Sequence, residues 1–171
     1  ISLIACGTAY HASLMGAEFF KEAGFDARAY LASEFRYGRE LLNKNTLYIF
    51  VSQSGETADT IASAKMVKSR KFYTLALTNT PNSLLNRICK NVLPTFAGRE
   101  IAVASTKAYT CQIWSLYLFS LYLAGKKLPT ENKISNIPFL NFDEPYIKEI
   151  AGFEKVFFIG RDLDYITAME A

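Results

Sequence analysis

Leu47-Tyr48-Ile49-Phe50-Val51-Ser52-Gln53-Ser54-Gly55-Glu56-Thr57 passes from an apolar run into six small or polar residues, and a helical pattern from Ala58 to Lys65 follows. That is a strand, a turn and a helix start. The first N–H groups of a helix lack intrahelical partners, and its dipole adds partial positive charge at the same place. Three hydroxyls (Ser52, Ser54, Thr57) and the Gln53 amide surround it, and Gly55 allows close backbone approach. A phosphate group suits such a turn. So does a plain helix cap, with Ser54 or Thr57 capping and Glu56 in the first turn. The stretch alone fits either reading.

Outward from this turn the pattern repeats. Ser2–Ala5 reads as a buried strand, with Cys6-Gly7-Thr8 as its turn. Ala12, Met15, Phe19 and Ala23 then recur at helical spacing up to Gly24. Ala27–Leu31 is a second strand, after which Ser33 caps a short helix through Tyr37. Thr46–Val51 is the third strand and Phe72–Leu77 the fourth. Ser83–Arg87 is a short helix. Asn91–Pro94 is a fifth strand, placed at a sheet edge because Pro94 cannot donate to a ladder. Strands alternating with helices, each strand apolar on both faces, predict a three-layer α/β/α fold around a five-stranded parallel sheet. In such sheets ligands bind outside the carboxyl ends of the strands, where the turns at Cys6–Thr8, Ala32–Glu34 and Ser52–Thr57 fall.

A long helix starts near Ser105-Thr106-Lys107, with no charged residue from Ala108 to Ala124. It is shorter than the ~20 residues of a membrane span and carries Gln112, Ser115 and Ser120, so a buried helix within a domain or at a dimer interface is expected. Residues 1–125 form one domain on this reading, 126–154 a linker with Pro129 and Pro138, and 155–171 the opening of a second copy. Within the linker, Glu144–Phe153 is expected to be helical. Val156-Phe157-Phe158-Ile159-Gly160 echoes Leu3-Ile4-Ala5-Cys6-Gly7. The chain opens on a strand without an initiator Met and stops within a helical pattern, which suggests a piece of a longer protein.

Of the 171 residues half are hydrophobic and a fifth charged, enough for a sizeable core. A scattered net charge of +3 does not suggest nucleic acid. Three cysteines (Cys6, Cys89, Cys111) without close pairing indicate a reducing, cytoplasmic setting and no metal cluster. No phosphate-loop G-x-x-x-x-G-K-[ST] and no G-x-G-x-x-G occurs, which argues against ATP, GTP or a Rossmann-bound dinucleotide. His11 is the single histidine, so it suits solvation or packing, and Cys6 has no evident base.

Ser-Gln-Ser-Gly-Glu-Thr resembles the turn of the sugar isomerase (SIS) phosphosugar-binding fold, which is flavodoxin-like. Ala5–Tyr10, Ala32–Tyr37 and Ile101–Thr110, in that order, narrow the resemblance to the isomerase domain of the glutamine–fructose-6-phosphate aminotransferase family. That family makes glucosamine 6-phosphate and glutamate from fructose 6-phosphate and glutamine. The resemblance implies that Ser52, Gln53, Ser54 and Thr57 hold the sugar phosphate with Thr8, and that Gly7, Val103 and Ser105 contact sugar hydroxyls or backbone. Ala9 stands where many members carry Ser, and is left out. The resemblance places the catalytic Glu, the ring-opening His and the Schiff-base Lys in the second lobe or tail, so no catalytic residue is assigned here; Glu170 precedes the Glu motif. It further implies a glutaminase domain and second SIS lobe as partners and a homodimer; no cofactor, nucleic acid or membrane is expected. Two other readings exist. A phosphosugar-sensing module of a transcriptional regulator needs an upstream helix-turn-helix. A single-lobe isomerase needs a base and a ring-opening His among these residues, and none is evident.

Overall fold

A computed structural model describes residues 1–38, 42–99, 106–129, 166 and 169. The elements run β1 (Ser2–Ala5), α1 (Thr8–Glu22), β2 (Arg28–Leu31), α2 (Ala32–Tyr37), β3 (Leu47–Ser52), α3 (Ala58–Ser69), β4 (Tyr73–Thr78), α4 (Leu84–Ile88), β5 (Asn91–Pro94) and α5 (Lys107–Leu123). The five strands pair in the order β2-β1-β3-β4-β5, all parallel. This is the flavodoxin-like order, with the switch point between β1 and β3.

Alternation along the strands sorts side chains to two faces, as period-two geometry requires. Ile4, Tyr48, Phe50 and Ala76 meet Phe35 of α2, Ile61, Ala64 and Val67 of α3, and Leu85 of α4. Leu3, Ala5, Ile49, Val51, Leu75 and Leu77 meet Ala17 and Phe20 of α1 and Leu116 of α5. Both faces are covered, which explains why the strands read as continuous apolar runs. β5 lies at the edge and is mostly exposed, as Pro94 requires.

Several expectations shift. Strands three and four each begin and end one residue later than expected, so Ser52 belongs to β3 and pairs with Thr78. Ser33 does not cap α2. Leu31 is the N-cap residue and the helix already includes Ala32, which is buried with Phe35 against the sheet. Tertiary packing sets that start, not a hydroxyl. In α1 the stripe facing the sheet is Ala12, Gly16, Ala17 and Phe20. Met15 and Phe19 turn instead to α5, where Tyr109 Oη donates to Met15 Sδ (3.6 Å) and Phe19 meets Tyr117 edge-on at 5.4 Å. Gly16 lets the two helices close: a Cβ there would lie 2.7 Å from Leu116 Cδ1 and 3.2 Å from Leu116 Cβ.

α5 is not buried all round in this chain. Ala108, Gln112, Leu116 and Ser120, four apart, form its buried stripe, while Trp114, Tyr122 and Leu123 are exposed. No helix among the described residues is long and apolar enough to cross a membrane. Of the expected linker only 126–129 is described; the expected helix at Glu144–Phe153 and strand at Val156–Ile159 lie outside the described residues.

Candidate functional site

β1 and β3 are neighbours, with Ile4 beside Phe50, so the turns leaving their carboxyl ends stand side by side at the switch point. The β1 turn carries Gly7 and Thr8. Gly7 has φ +56°, ψ −141°, and nothing surrounds its Cβ position, so glycine is needed there for backbone freedom and not for space. Thr8 opens α1 with no side-chain cap and no acidic residue in the first turn. Cys6 links the two turns: Thr60, in the first turn of α3, donates its hydroxyl to Cys6 Sγ at 4.0 Å.

The β3 turn holds the other four candidates. Ser52 is buried at the end of the strand; Gln53, Ser54 and Thr57 are half-buried. Gly55 N–H donates to Ser52 Oγ (3.0 Å), and Glu56 N–H donates to Ser54 Oγ (3.2 Å). Thr57 occupies the N-cap position of α3 but makes no side-chain cap bond. Its hydroxyl pairs instead with Ser52 Oγ at 3.1 Å. The capping reading therefore fails: neither Ser54 nor Thr57 spends its oxygen on the helix. Each hydroxyl that accepts an N–H keeps a proton to donate. The turn thus offers the Ser54 O–H, a proton from the Ser52–Thr57 pair, and the leading N–H groups of a 12-residue helix whose cap is empty of side chain. Asp59, in that first turn, is engaged by Arg36 at 3.3 Å.

The adjoining β4 turn differs. Thr78 Oγ1 donates to Asn86 Oδ1 (2.7 Å), and Asn86 Nδ2 donates to the Thr80 carbonyl (3.2 Å). Asn79 Oδ1 accepts from Thr95 Oγ1 and the Ala97 amide, and Asn79 Nδ2 donates to the Gly98 carbonyl. The side chains of Thr78, Asn79 and Asn86 are consumed by the fold. The β4 turn also braces the β3 turn, because the Asn79 N–H (3.1 Å) and Thr80 Oγ1 (3.3 Å) both donate to the Gln53 carbonyl.

The SIS domain family model matches residues 1–122. The chain belongs to the SIS domain family. It is 42% identical over 189 aligned positions to the glutamine–fructose-6-phosphate aminotransferase (isomerizing) of Fusobacterium nucleatum, covering 99% of this chain and 31% of that protein. With the enzyme of the same name from Symbiobacterium thermophilum the identity is 43%, covering all of this chain and 31% of the relative. The chain thus spans about a third of the length of these curated relatives. Among solved structures, the C-terminal domain of glucosamine-fructose-6-phosphate aminotransferase from Francisella tularensis superposes with a TM-score of 0.70 at 37% identity, covering 72% of this chain and 35% of that one. A glucosamine-6-phosphate deaminase from Thermotoga maritima, at 23% identity and a TM-score of 0.69, covers 78% of this chain and 41% of its own, and shares the fold.

Six sequence-derived candidates of this SIS domain are therefore brought to adjacent turns: Gly7, Thr8, Ser52, Gln53, Ser54 and Thr57. Val103 and Ser105 lie outside the described residues. Sequence reasoning missed the residues that hold the turn from behind. Glu56 Oε1 accepts the Leu84 N–H at 2.7 Å, 28 residues along the chain, and the Gly55 carbonyl accepts the Leu85 N–H at 3.1 Å. Ser83 packs so closely on Gly55 that a Cβ there would collide with its Oγ and lie 2.6 Å from its Cβ. Helical spacing gives no signal for a contact of that range.

Proposed function

We propose that this chain binds the phosphate of a ketose or amino-sugar phosphate, fructose 6-phosphate or glucosamine 6-phosphate, in the β3 turn. Ser52, Ser54 and Thr57 donate hydroxyl hydrogen bonds, Gln53 adds its amide, and Thr8 reaches in from the β1 turn beside Gly7. Val103 and Ser105, by the family resemblance, contact the sugar. The observation that carries this reading is the pairing of two side-chain-uncapped helix starts at the sheet's switch point, one of them ringed by hydroxyls with donor capacity left. A dianion receives both the orphan N–H groups and the dipole there.

The same reading gives the chain a place within a longer enzyme. Residues 1–125 are the first SIS lobe of a glutamine–fructose-6-phosphate aminotransferase, 126–154 a linker and 155–171 the start of a second lobe. The whole enzyme converts fructose 6-phosphate and glutamine to glucosamine 6-phosphate and glutamate in the cytoplasm, as a homodimer with a glutaminase domain. The similarity to the Fusobacterium and Symbiobacterium enzymes, over nearly the full chain, supports this assignment.

Titration calorimetry tests the binding step. Wild-type chain should take up fructose 6-phosphate and not fructose. Ser54→Ala should weaken the phosphosugar by about 1.5–3 kcal/mol, the scale of a hydrogen bond to a charged group. Equal uptake of fructose and its 6-phosphate would refute the reading.

A further inference from the structure

Glu56 places a carboxylate on the very turn proposed to receive an anion. Unpaired, that charge would oppose phosphate. It is committed elsewhere: Oε1 accepts the N–H of Leu84, the first residue of α4, at 2.7 Å. The backbone of the same residue acts on the turn, its N–H donating to Ser54 Oγ at 3.2 Å. A hydroxyl whose lone pair is occupied by an N–H directs its own proton to another acceptor. The chain of contacts is thus Leu84 N–H to Glu56 carboxylate, then Glu56 N–H to Ser54 hydroxyl. The other ties across this gap, to the carbonyls of Gln53 and Gly55, are made by the turn's backbone. Glu56 is the side chain through which the turn grips α4.

We infer that Glu56 is a positioning residue for phosphate recognition: anchored on Leu84, it aims the Ser54 hydroxyl at the ligand and withdraws its own charge from it. This role rests on the assignment of the sugar phosphate to the β3 turn. Glu56 touches no substrate in this scheme and acts through Ser54.

The experiment is calorimetric titration of the 171-residue chain with glucosamine 6-phosphate and, separately, with glucosamine, accompanied by thermal melts. Four proteins are compared with wild type: Glu56→Ala, Glu56→Gln, Leu84→Pro and the Glu56→Ala/Leu84→Pro double variant. Proline is tolerated at the first position of a helix, and Ser83 already holds the extended conformation (φ −60°, ψ 163°) that a following proline requires. Leu84→Pro therefore deletes the N–H donor and sets the ring Cδ where that hydrogen bond ran, so the Glu56 carboxylate is displaced while the turn's own residues are unchanged. Glu56→Ala should weaken glucosamine 6-phosphate about tenfold, the effect of one misdirected hydrogen bond to a charged group. Glu56→Gln, whose amide oxygen still accepts the Leu84 N–H, should bind within about twofold of wild type or tighter, since the opposing charge is gone. Leu84→Pro should lose at least as much as Glu56→Ala, and the double variant no more than the worse single one, as expected of two ends of one contact. Thermal melts that show Glu56→Ala fully folded at the titration temperature, together with rescue by glutamine, separate the positioning role from general loss of stability. Glu56→Ala binding like wild type, Glu56→Gln losing as much as Glu56→Ala, or additive losses in the double variant would each overturn the role. If wild type itself does not prefer glucosamine 6-phosphate to glucosamine, the phosphate assignment falls and the role falls with it. If wild type does prefer it and the variants do not differ, the role alone falls.

Discussion

Gly55→Ala isolates the geometry of the turn. Gly55 has φ +68°, in the left-handed region, and its missing side chain faces Ser83. An L-residue there pays roughly 1–2 kcal/mol in backbone strain. The new methyl must also displace Ser83, whose Oγ it would strike and whose Cβ would be 2.6 Å away. Ser83 cannot retreat freely: it is buried, and its Oγ accepts the Asn86 N–H as the N-cap of α4 (3.4 Å). Loss of that cap adds about 0.5–2 kcal/mol. The sum is about 1.5–4 kcal/mol, a large share of the ~5–15 kcal/mol that holds a typical domain folded. Urea denaturation should show a lower midpoint with an unchanged slope. Ser83→Gly in the same background removes the obstructing side chain. The double variant should recover the steric part against Ser83→Gly alone, leaving the ~1–2 kcal/mol of left-handed strain. A Gly55→Ala chain within about 0.5 kcal/mol of wild type, the scale of ordinary surface substitutions, would refute the reasoning.

Other outcomes follow from the same structure. Gly16→Val should destabilise by about 1–3 kcal/mol, because added methyls overpack the α1–α5 contact at Leu116; thermal melting reads it. Phe50→Ala, in the strand that leads into the turn, removes a fully buried ring and should cost about 3–5 kcal/mol by the same urea assay. Burial pushes the Cys89 thiol from an ordinary value of 9.0 up to about 12. The unfolded chain thus releases this proton near pH 9 while the folded chain keeps it until about 12, so the folded state binds more protons in that window and stability falls as pH rises through it. Cys89→Ala should remove a slope that grows from about 0.7 kcal/mol per pH unit at pH 9 to about 1.2 between pH 10 and 11, measured as the difference from wild type; identical slopes would contradict it. Thr57→Val should weaken phosphosugar binding while leaving α3 intact, since the Thr57 hydroxyl pairs with Ser52 and not with the helix; circular dichroism with calorimetry separates the two.

Much of the fold was legible because parallel strands covered on both faces must read as apolar runs, and because Pro94 excludes β5 from a central place. The two site turns were legible because glycine and hydroxyl residues cluster directly after β1 and β3. What escaped depends on contacts distant in sequence. Hydroxyl position suggested a cap at Ser33, but burial of Ala32 starts α2 earlier. The uncharged run in α5 suggested a helix buried within a domain or at a dimer interface; among the described residues the stripe through Gln112 and Leu116 is what meets the core of this chain. Glu56 looked like a first-turn acid of α3, and its carboxylate serves α4 instead.

We propose above all that a sugar phosphate sits in the β3 turn. Titrating isotope-labelled chain with glucosamine 6-phosphate, and following amide resonances by NMR, tests it most directly. The largest shifts should fall at Gln53, Ser54, Ala58 and Asp59 in the β3 turn and α3 start, with Thr8 beside them, and none of these with glucosamine. Saturable shifts centred on the β4 turn at Thr80–Asn82, or equal responses to glucosamine and its phosphate, would contradict it.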